Sequence, residues 1–376
     1  MHHQEAKRNT MVKILKFGAI MLGLGLILPA LASAAETPDD TSLAARVDKL
    51  EQSFRGLHNW LDRISLSGLI EVEAGYIDID SDDPEADGDE SDLTLATVEL
   101  GIDVDLIKHV SGHVLLLWEE DDTEPLDVDE ATIRLDGEDV IPLYLEAGKL
   151  YVPFGNFESH FISDPLTLEL GETRESAAIV GYANDLFDVS FGVFNGDIDE
   201  DGKDDHIDSF VASAVYTMPD DVVTDLELTT GISWISNLAD SDVLTDEIDG
   251  DNIRDKVSGI SLFVIANWQE RLTFIAEYLG ALDSFDAGEL AFDGGKALEP
   301  KTWNLELGYA ISEKLTVAAK YEGGDDLGDL LPENQYGLVA GYALFEGTSL
   351  SLEYLHGEFA NDDEQDILTA QLAFEF

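Results

Sequence analysis

Residues 65–76 read SLSGLIEVEAGY, a stretch in which apolar or small residues alternate with mostly polar ones. One set of alternate positions carries Leu66, Gly68, Ile70, Val72, Ala74 and Tyr76. The other set carries Ser65, Ser67, Glu71, Glu73 and Gly75. Because successive side chains of a β-strand point to opposite faces, this pattern predicts a strand with one apolar and one polar face. Such a strand suits a position between lipid on the outside and water on the inside.

The same alternation recurs through the rest of the chain and predicts sixteen strands. We place them near 65–78, 92–105, 108–120, 127–135, 143–152, 175–183, 186–195, 207–218, 225–236, 257–268, 271–282, 302–311, 314–322, 335–344, 348–357 and 366–376. An even number of strands of this length is typical of bacterial outer-membrane barrels. We therefore predict an all-β fold, a transmembrane antiparallel β-barrel over residues 65–376. A soluble β-sandwich also alternates, but sixteen strands without a second, polar-faced sheet favour the barrel.

Short and long connections alternate between the predicted strands, as they do in outer-membrane barrels. The long ones fall at 79–91, 121–126, 153–174, 196–206, 237–256, 283–301, 323–334 and 358–365. The short turns are then expected to face the periplasm. Both termini of the barrel segment lie on that same side. The chain closes on a strand ending in Phe376, which resembles the usual ending of an outer-membrane barrel.

Residues 1–34 have the features of a secretory signal peptide. Four basic residues precede an apolar run from Phe17 to Leu31, and Ala32-Ser33-Ala34 follows as a cleavage site. The apolar run is shorter than the roughly 20 residues of a spanning helix, which disfavours the alternative of a membrane anchor. The signal predicts export to the outer membrane of a Gram-negative bacterium, with membrane lipid around the barrel.

Residues 35–64 are predicted to contain a periplasmic helix. Its apolar residues repeat at the spacing of a coiled-coil seam, and they are Leu43, Val47, Leu50, Phe54, Leu57, Leu61 and Ile64. A seam this narrow favours a partner helix, so residues 43–64 predict a homo-oligomer, with a trimer the best fit. The alternative is a helix that lies on the barrel rim or plugs its mouth.

The composition excludes several classes of function. The 376 residues include 80 Asp and Glu against 20 Lys and Arg, a formal net charge of −60, so binding to nucleic acid is excluded by repulsion. There is no cysteine, hence no disulfide and no thiolate metal site. Histidines are scattered and no serine-hydrolase motif occurs, so we do not expect an enzyme. Acidic residues crowd the long connections, where they would concentrate cations at a pore mouth.

One acidic connection has the spacing of a calcium loop. Residues 197–208 read DIDEDGKDDHID and match D-x-D-x-D-G at their first six positions. The positions of the predicted loop are Asp197, Asp199, Asp201, Lys203, Asp205 and Asp208. A calcium ion is the only cofactor that the sequence suggests, and a solvated acidic loop is the alternative.

Several segments resemble the LbtU-like siderophore porins, and the likeness covers most of residues 60–220. They are SLSGLIEVEAGY (65–76), LATVELGIDVDL (95–106), LLLWEEDDTEPLDVDEATIRL (115–135), GKLYVPFGNFESHFISDPLTLELGETRESAAIVGY (148–182) and VFNGD (193–197). The resemblance implies an outer-membrane porin that passes ferric siderophore by diffusion, independently of TonB. A general cation-selective porin is the alternative, as is a structural outer-membrane protein whose loops bind calcium.

The third long connection, residues 153–174, is the predicted pore constriction. It is rich in Phe, Leu and Ile, which argues against a disordered loop, and long ordered connections are usually functional. We expect its apolar residues to pack on the inner wall while charged residues border the opening. The charged candidates, including two positions on the wall, are Asp164, Glu169, Glu172, Arg174, Glu175 and Arg134.

Overall fold

The computed structural model describes residues 62–376 except positions 82, 83, 85, 121–125, 138, 139, 204, 205, 220, 249 and 251. The predicted signal peptide (1–34) and nearly all of the predicted coiled-coil helix (35–64) lie outside the described residues. Both therefore remain predictions. The barrel, by contrast, is described almost completely.

The chain folds mainly into strands joined by turns and loops. In order they are β1 (Ile64–Asp80), β2 (Gly88–Ile107), β3 (Val110–Trp118), β4 (Asp127–Asp136), β5 (Leu143–Tyr151), β6 (Arg174–Ala183), β7 (Phe187–Phe194), β8 (Asp199–Glu200), β9 (Ser209–Thr217), β10 (Leu226–Ile235), β11 (Asn252–Ile253), β12 (Gly259–Trp268), β13 (Leu272–Ala281), β14 (Lys301–Ser312), β15 (Leu315–Asp325), β16 (Asn334–Phe345), β17 (Thr348–Glu358) and β18 (Glu364–Glu375). The helices are α1 (Leu166–Gly171), a 3-10 turn (Leu238–Asp240) and α2 (Asp242–Asp246). Within the described ranges, no helix has both the length and the apolar character needed to cross a bilayer.

Sixteen strands form one closed antiparallel barrel, which confirms the predicted fold class. Each pairs with its neighbours in chain order, and β1 pairs with β18 to close the cylinder, with Ile70 opposite Phe374. The remaining two strands, β8 and β11, lie in long loops and pair with each other in parallel. Closure leaves the barrel without an unpaired sheet edge, which a strand protein in lipid requires.

The faces of the strands follow the predicted alternation. Outward apolar side chains are exposed along every second position, for example Leu338 at 62% and Leu352 at 52%. The alternation of residues 94–104 predicts that Thr94 faces outward in one row with Ala96 and Val98. This prediction was wrong, because a register shift between Glu71 and Glu73 inserts one extra residue into β2. As a result Leu93, not Thr94, lies opposite the outward Ala74, and Thr94 lies opposite Glu73.

The large apolar core lies at the long-loop end of the barrel rather than in the middle of its lumen. It joins the connection after β5 to the connections after β7, β10, β13 and β15. We call it the roof, and it includes Phe154, Leu166, Leu170, Ile198, Leu238, Leu244, Ile248, Ile253, Val257, Phe285, Leu290, Leu298, Leu327 and Leu331. Among the described residues, none of this core comes from the connections after β1, β3 or β17. The roof is thus built from neighbouring long connections on one side of the barrel.

Candidate pore constriction

The connection between β5 and β6, residues 152–173, extends across the lumen to the opposite wall. We call it the constriction loop. Pro153 cannot donate to the sheet ladder and ends β5. Gly155 then adopts a φ of +83°, and a Cβ there would lie 2.2 Å from the ring of Phe157. The chain thus leaves the wall at a position where only glycine fits.

Four glutamates on the far wall receive the constriction loop. They are Glu277 on β13, Glu306 on β14, Glu322 on β15 and Glu353 on β17, and each is at most 5% exposed. A buried carboxylate needs hydrogen-bond donors or a cation to offset its lost hydration. Backbone N–H groups of the loop supply many of those donors. They are available because they are not used in the hydrogen bonds of a helix or a strand.

Glu277 binds the first turn of the loop. One of its oxygens accepts hydrogen bonds from the backbone N–H of Asn156 at 2.8 Å and from the hydroxyl of Ser261 at 3.0 Å. The other oxygen accepts from the N–H of Phe157 at 3.0 Å and the hydroxyl of Thr167 at 3.1 Å. One carboxylate therefore joins both ends of the loop's inner segment to the wall.

Glu306 binds the next part of the loop. It accepts hydrogen bonds from the hydroxyl of Ser159 at 2.6 Å, from the N–H of His160 at 2.9 Å and from the amide of Asn304 at 3.0 Å. The Nδ1 atom of His160 lies 3.1 Å from the same carboxylate. The imidazole ring packs over Gly308, where a Cβ would come within 2.4 Å of its Nε2 atom. The glycine thus leaves room for the ring against β14.

Glu353 and Glu322 bind the tip of the loop. Glu353 accepts from the N–H of Ile162 and from the hydroxyl of Ser163 at 2.5 Å. Glu322 accepts from the N–H of Leu166 at 3.0 Å and also pairs with the fully buried ammonium of Lys320.

That ammonium lies 4.6 Å from the centre of the Phe161 ring, in the geometry of a cation–π contact. Lys320 thus offsets the negative charge of Glu322 on the wall and packs against Phe161 of the loop.

Asp240 is the buried acid of the roof, with 2% of its surface exposed. Its carboxylate accepts hydrogen bonds from the N–H of Ile198 at 3.2 Å, the hydroxyl of Ser209 at 2.7 Å and the amide of Asn237 at 3.0 Å. Burial raises the pKa of Asp240 to about 6, although these hydrogen bonds and the charge of Lys256 oppose the rise. The connections after β7 and β10 therefore meet at a buried carboxyl group whose pKa is raised.

The predicted constriction residues lie at several places in the loop and on the wall. Asp164 is buried in the loop, Glu169 lies in the first turn of α1, and Glu172 follows that helix. Glu175 is buried on the inward face of β6, at 8% exposure. Arg174 pairs with Asp129 at 2.5 Å and lies opposite Tyr151, at the long-loop end of β5.

Arg134 lies elsewhere on the wall, opposite Glu146, and pairs with that residue at 3.1 Å. Glu146 is five residues from Tyr151 along β5, about 17 Å at the rise of a strand. The guanidinium of Arg134 is 4.0 Å from the centre of the Tyr144 ring. A shared role for Arg134 and Arg174 at one constriction stays a prediction.

The described part of the predicted calcium loop does not converge on one point. Asp199 belongs to β8, Lys203 pairs with Glu200 at 2.5 Å, and Asp208 pairs with Lys256 at 2.5 Å. Asp197 and Asp201 are exposed, and Asp205 lies outside the described residues. Over the described positions, no three His, Asp or Glu side chains are arranged to hold a metal ion. Calcium binding here stays a prediction.

A cavity of about 350 Å³ lies between the constriction loop and the short-turn ends of the strands. Its lining includes Glu158 and His160 from the loop and Glu71, Ser351 and Glu375 from the wall. The cavity thus lies directly beneath the loop that crosses the lumen.

Comparison with solved structures shows that the fold is that of the porins. The outer-membrane channel DcaP of Acinetobacter baumannii superimposes with a TM-score of 0.57 at 14% identity, covering 83% of this chain and 97% of that one. An anion-selective porin from Comamonas acidovorans matches with a TM-score of 0.57 at 12% identity, covering 83% and 99%. Salmonella typhi OmpF in complex with daunomycin gives 0.55 at 10% identity, covering 84% and 98%.

Sequence comparison finds more similar relatives of the UPF0422 group. A UPF0422 protein of Coxiella burnetii is 26% identical over 333 residues, which cover 85% of this chain and 70% of that protein. A UPF0422 protein of Legionella pneumophila (strain Philadelphia 1) is 24% identical over 321 residues, covering 78% and 58%. The chain thus spans under two thirds of the length of this Legionella relative. No family model matches the sequence.

Proposed function

We propose that this protein is an outer-membrane diffusion pore for small solutes. The observation that carries the proposal is the constriction loop, which crosses a closed sixteen-strand barrel and binds four buried glutamates on the far wall. A loop held in this way narrows the lumen, and a cavity of about 350 Å³ remains beneath it. Solutes would then pass down their gradient through a passage of fixed width.

We further propose passage of ferric siderophore without TonB. The resemblance of residues 148–182 to siderophore porins is the support for this substrate. The segment that narrows the lumen is a connection between two neighbouring strands, tied to the wall at both ends, whereas TonB-dependent transporters carry a separate plug. Transport through such a pore needs a gradient and no external energy source.

A general cation-selective pore is the second candidate, and the distribution of acid favours it. The connection after β1 follows an acidic strand end, and residues 78–92 contain no lysine or arginine. With a formal net charge of −60, the protein attracts cations and repels anions at its entrance. An anionic ferric siderophore would have to overcome that repulsion.

Conductance in planar bilayers tests the pore and separates the two substrates. We expect ohmic channels from the purified protein, together with uptake of ferric siderophore into proteoliposomes at a rate that a proton-motive force does not change. A protein without conductance would contradict both candidates. Channels that ferric siderophore neither blocks nor crosses would leave only the cation-selective pore.

A variant with residues 156–170 replaced by a short Gly-Ser linker tests whether the constriction loop narrows the pore. Its barrel keeps all sixteen strands, so we expect it to fold and to conduct more current than the natural chain. Equal conductance would show that the constriction loop is not the narrow point.

We also propose a homotrimer, held by the helix predicted at residues 43–64. Its support is the heptad spacing in the sequence. Porin-type barrels are commonly trimeric, and one barrel per chain leaves each copy with its own pore.

A further inference from the structure

We propose that the free edge of β2, at the long-loop end of the barrel, binds an extended basic peptide as an additional strand. The closed ladder includes β2 only as far as β3 accompanies it, and β3 ends at Trp118, opposite Val98. Beyond that point β2 continues over residues 88–97 and pairs with β1. The hairpin of β1 and β2 therefore extends about 30 Å past the end of β3. We call residues 88–93 the β2 edge.

The backbone of the β2 edge directs donors and acceptors away from β1 at alternate residues. The N–H of Leu95 donates to the carboxylate of Glu120 at 2.8 Å, on the side away from β1, and the N–H of Leu93 donates to a neighbouring carboxylate at 2.7 Å. Successive residues of an antiparallel strand alternate between its two sides. Ser91 and Asp89 therefore face the same free side as Leu93.

Glu120 already pairs with this side of β2 as an added strand would. Its main-chain N–H donates to the carbonyl of Leu95 at 3.4 Å, and its carboxylate takes the place of a strand carbonyl as acceptor. Among the described residues, none continues this pairing at Asp89 or Ser91. The β2 edge thus presents the next steps of a ladder that Glu120 begins.

The length of the connection between β3 and β4 limits how far it can follow the edge. Residues 119–126 leave Trp118 and return to Asp127, so half of this span reaches about 14 Å. Ser91 lies about 20 Å beyond the level of Trp118, at the rise of a strand. All of residues 88–93 are exposed. The edge is therefore accessible to a polypeptide.

Most of the β2 edge lies in water rather than in lipid. Tyr76 on β1 is opposite Ser91, and the exposed outward row of β1 continues from this tyrosine to Asp78 and Asp80. Aromatic residues mark the interface of outer-membrane barrels, and carboxylates do not face the acyl chains. Residues 88–91 are thus beyond the apolar band of the barrel.

The charge of the β2 edge selects a basic partner. Asp89 lies on one face of the strand, Glu90 and Asp92 lie on the other, and residues 78–92 contain no lysine or arginine. Opposite charges on neighbouring strands stabilise their pairing, whereas like charges directly opposite destabilise it. A second copy of this chain would bring the same acids to the edge, so the acids disfavour that occupant. A strand with lysine or arginine at alternate positions would pair with them.

Binding of a fluorescent heptapeptide of alternating lysine and valine to the whole protein in nonionic detergent tests the proposal. Two control peptides keep its length: one is N-methylated at every internal amide, and one carries glutamate in place of lysine. N-methylation removes the donors that strand pairing needs and leaves the charge unchanged. We expect the lysine–valine peptide to bind about tenfold more tightly than either control. Amides of residues 89–93 should exchange more slowly in the complex.

Two variants locate the binding. Ser91→Pro removes one donor from the free side and keeps the pairing with β1, so the dissociation constant should rise about three- to tenfold. Ser91→Thr keeps the donor and should bind like the natural chain. Glu90→Lys should weaken binding of the lysine–valine peptide and strengthen binding of the glutamate–valine peptide, each about three- to tenfold. It also serves if Ser91→Pro fails to fold.

Glu313→Lys is the matched control for charge, since Glu313 is an exposed acid in the turn between β14 and β15, at the opposite end of the barrel. It should leave the binding of both peptides unchanged. Equal binding of the N-methylated peptide would show attraction by charge without strand addition and would overturn the proposal. Binding that Ser91→Pro and Glu90→Lys leave unchanged would place the peptide elsewhere and also overturn it.

The proposal is independent of the pore function, because peptide binding is measured without conductance. A protein that conducts but does not bind the lysine–valine peptide would keep the pore function and lose the β2 edge as a binding site. A protein that binds the peptide but does not conduct would give the reverse result.

Discussion

Replacement of Glu277 by glutamine should release the constriction loop from the wall. Four donors point at the two oxygens of this carboxylate, two of them backbone N–H groups of Asn156 and Phe157. Glutamine keeps one oxygen and turns an NH₂ group towards the other two donors. The substitution changes the shape of the side chain very little, so its effect reports on hydrogen bonding.

The magnitude follows from the bonds that are lost. Two hydrogen bonds to a charged group contribute about 3–6 kcal/mol together. Removal of a buried charge offsets part of this loss, which leaves a net of about 2–4 kcal/mol in favour of the detached loop. The detached population should then rise roughly 30- to 1,000-fold, since 1.4 kcal/mol corresponds to a factor of ten.

Single-channel recording and limited proteolysis measure this change. In Glu277→Gln we expect larger and noisier conductance steps, and faster cleavage within residues 152–173. The barrel itself should keep its resistance to heat in detergent, because the sixteen-strand ladder is untouched.

Glu227→Gln on β10 is the matched control, since Glu227 is exposed and has no hydrogen bond to the loop among the described contacts. The reasoning would be refuted if Glu277→Gln had the same single-channel conductance and the same rate of proteolytic cleavage as the natural chain. It would also be refuted if Glu227→Gln gave the same change.

Three further outcomes are expected. Lys320→Met leaves Glu322 buried without its cation, so the free energy of unfolding in detergent should fall by about 3–5 kcal/mol; an unchanged unfolding midpoint would contradict this. Burial raises the pKa of Asp240 to about 6, above its ordinary value of 3.8, so the roof is most stable when this group is protonated. Its stability should fall by about 2 kcal/mol as the pH rises from 4 to 6, and the hydrogen-exchange protection factors of residues 196–203, which are corrected for the intrinsic pH dependence of exchange, should fall over that window, but not in Asp240→Asn. Deletion of residues 35–61 should convert the proposed trimer into folded monomers, which light scattering in detergent would detect.

The strand pattern could be read from the sequence because it depends only on neighbouring residues. Alternation of period two reports which face of each strand meets lipid, and all sixteen predicted strands of the barrel are present. The third long connection was also recognised as an ordered loop from its length and apolar content. The misplaced Thr94 shows the limit of such local reading, since a bulge depends on the partner strand.

The contacts of the constriction loop could not be read in the same way. The sequence suggested Asp164, Glu169, Glu172 and Arg174 as the important charges because they lie in or beside the loop. Their role at the opening stays a prediction. The residues that hold the loop are glutamates on β13, β14, β15 and β17, between 110 and 191 positions away in the contacts cited. A signal was present, namely one acid on the inward row of each of these strands, as Glu306 in WNLELGY (303–309), where Asn304 and Gly308 are its inward neighbours.

The sequence by itself therefore determined the class of fold, the order of the strands and the position of the loop. Only the tertiary structure decided what the loop binds, where the roof closes and where a cavity remains. The physical reason is that strand faces follow from local periodicity, whereas a lumen exists only after β1 meets β18. Once the cylinder is closed, acids that are remote in sequence surround one space, and the loop's N–H groups meet their carboxylates there.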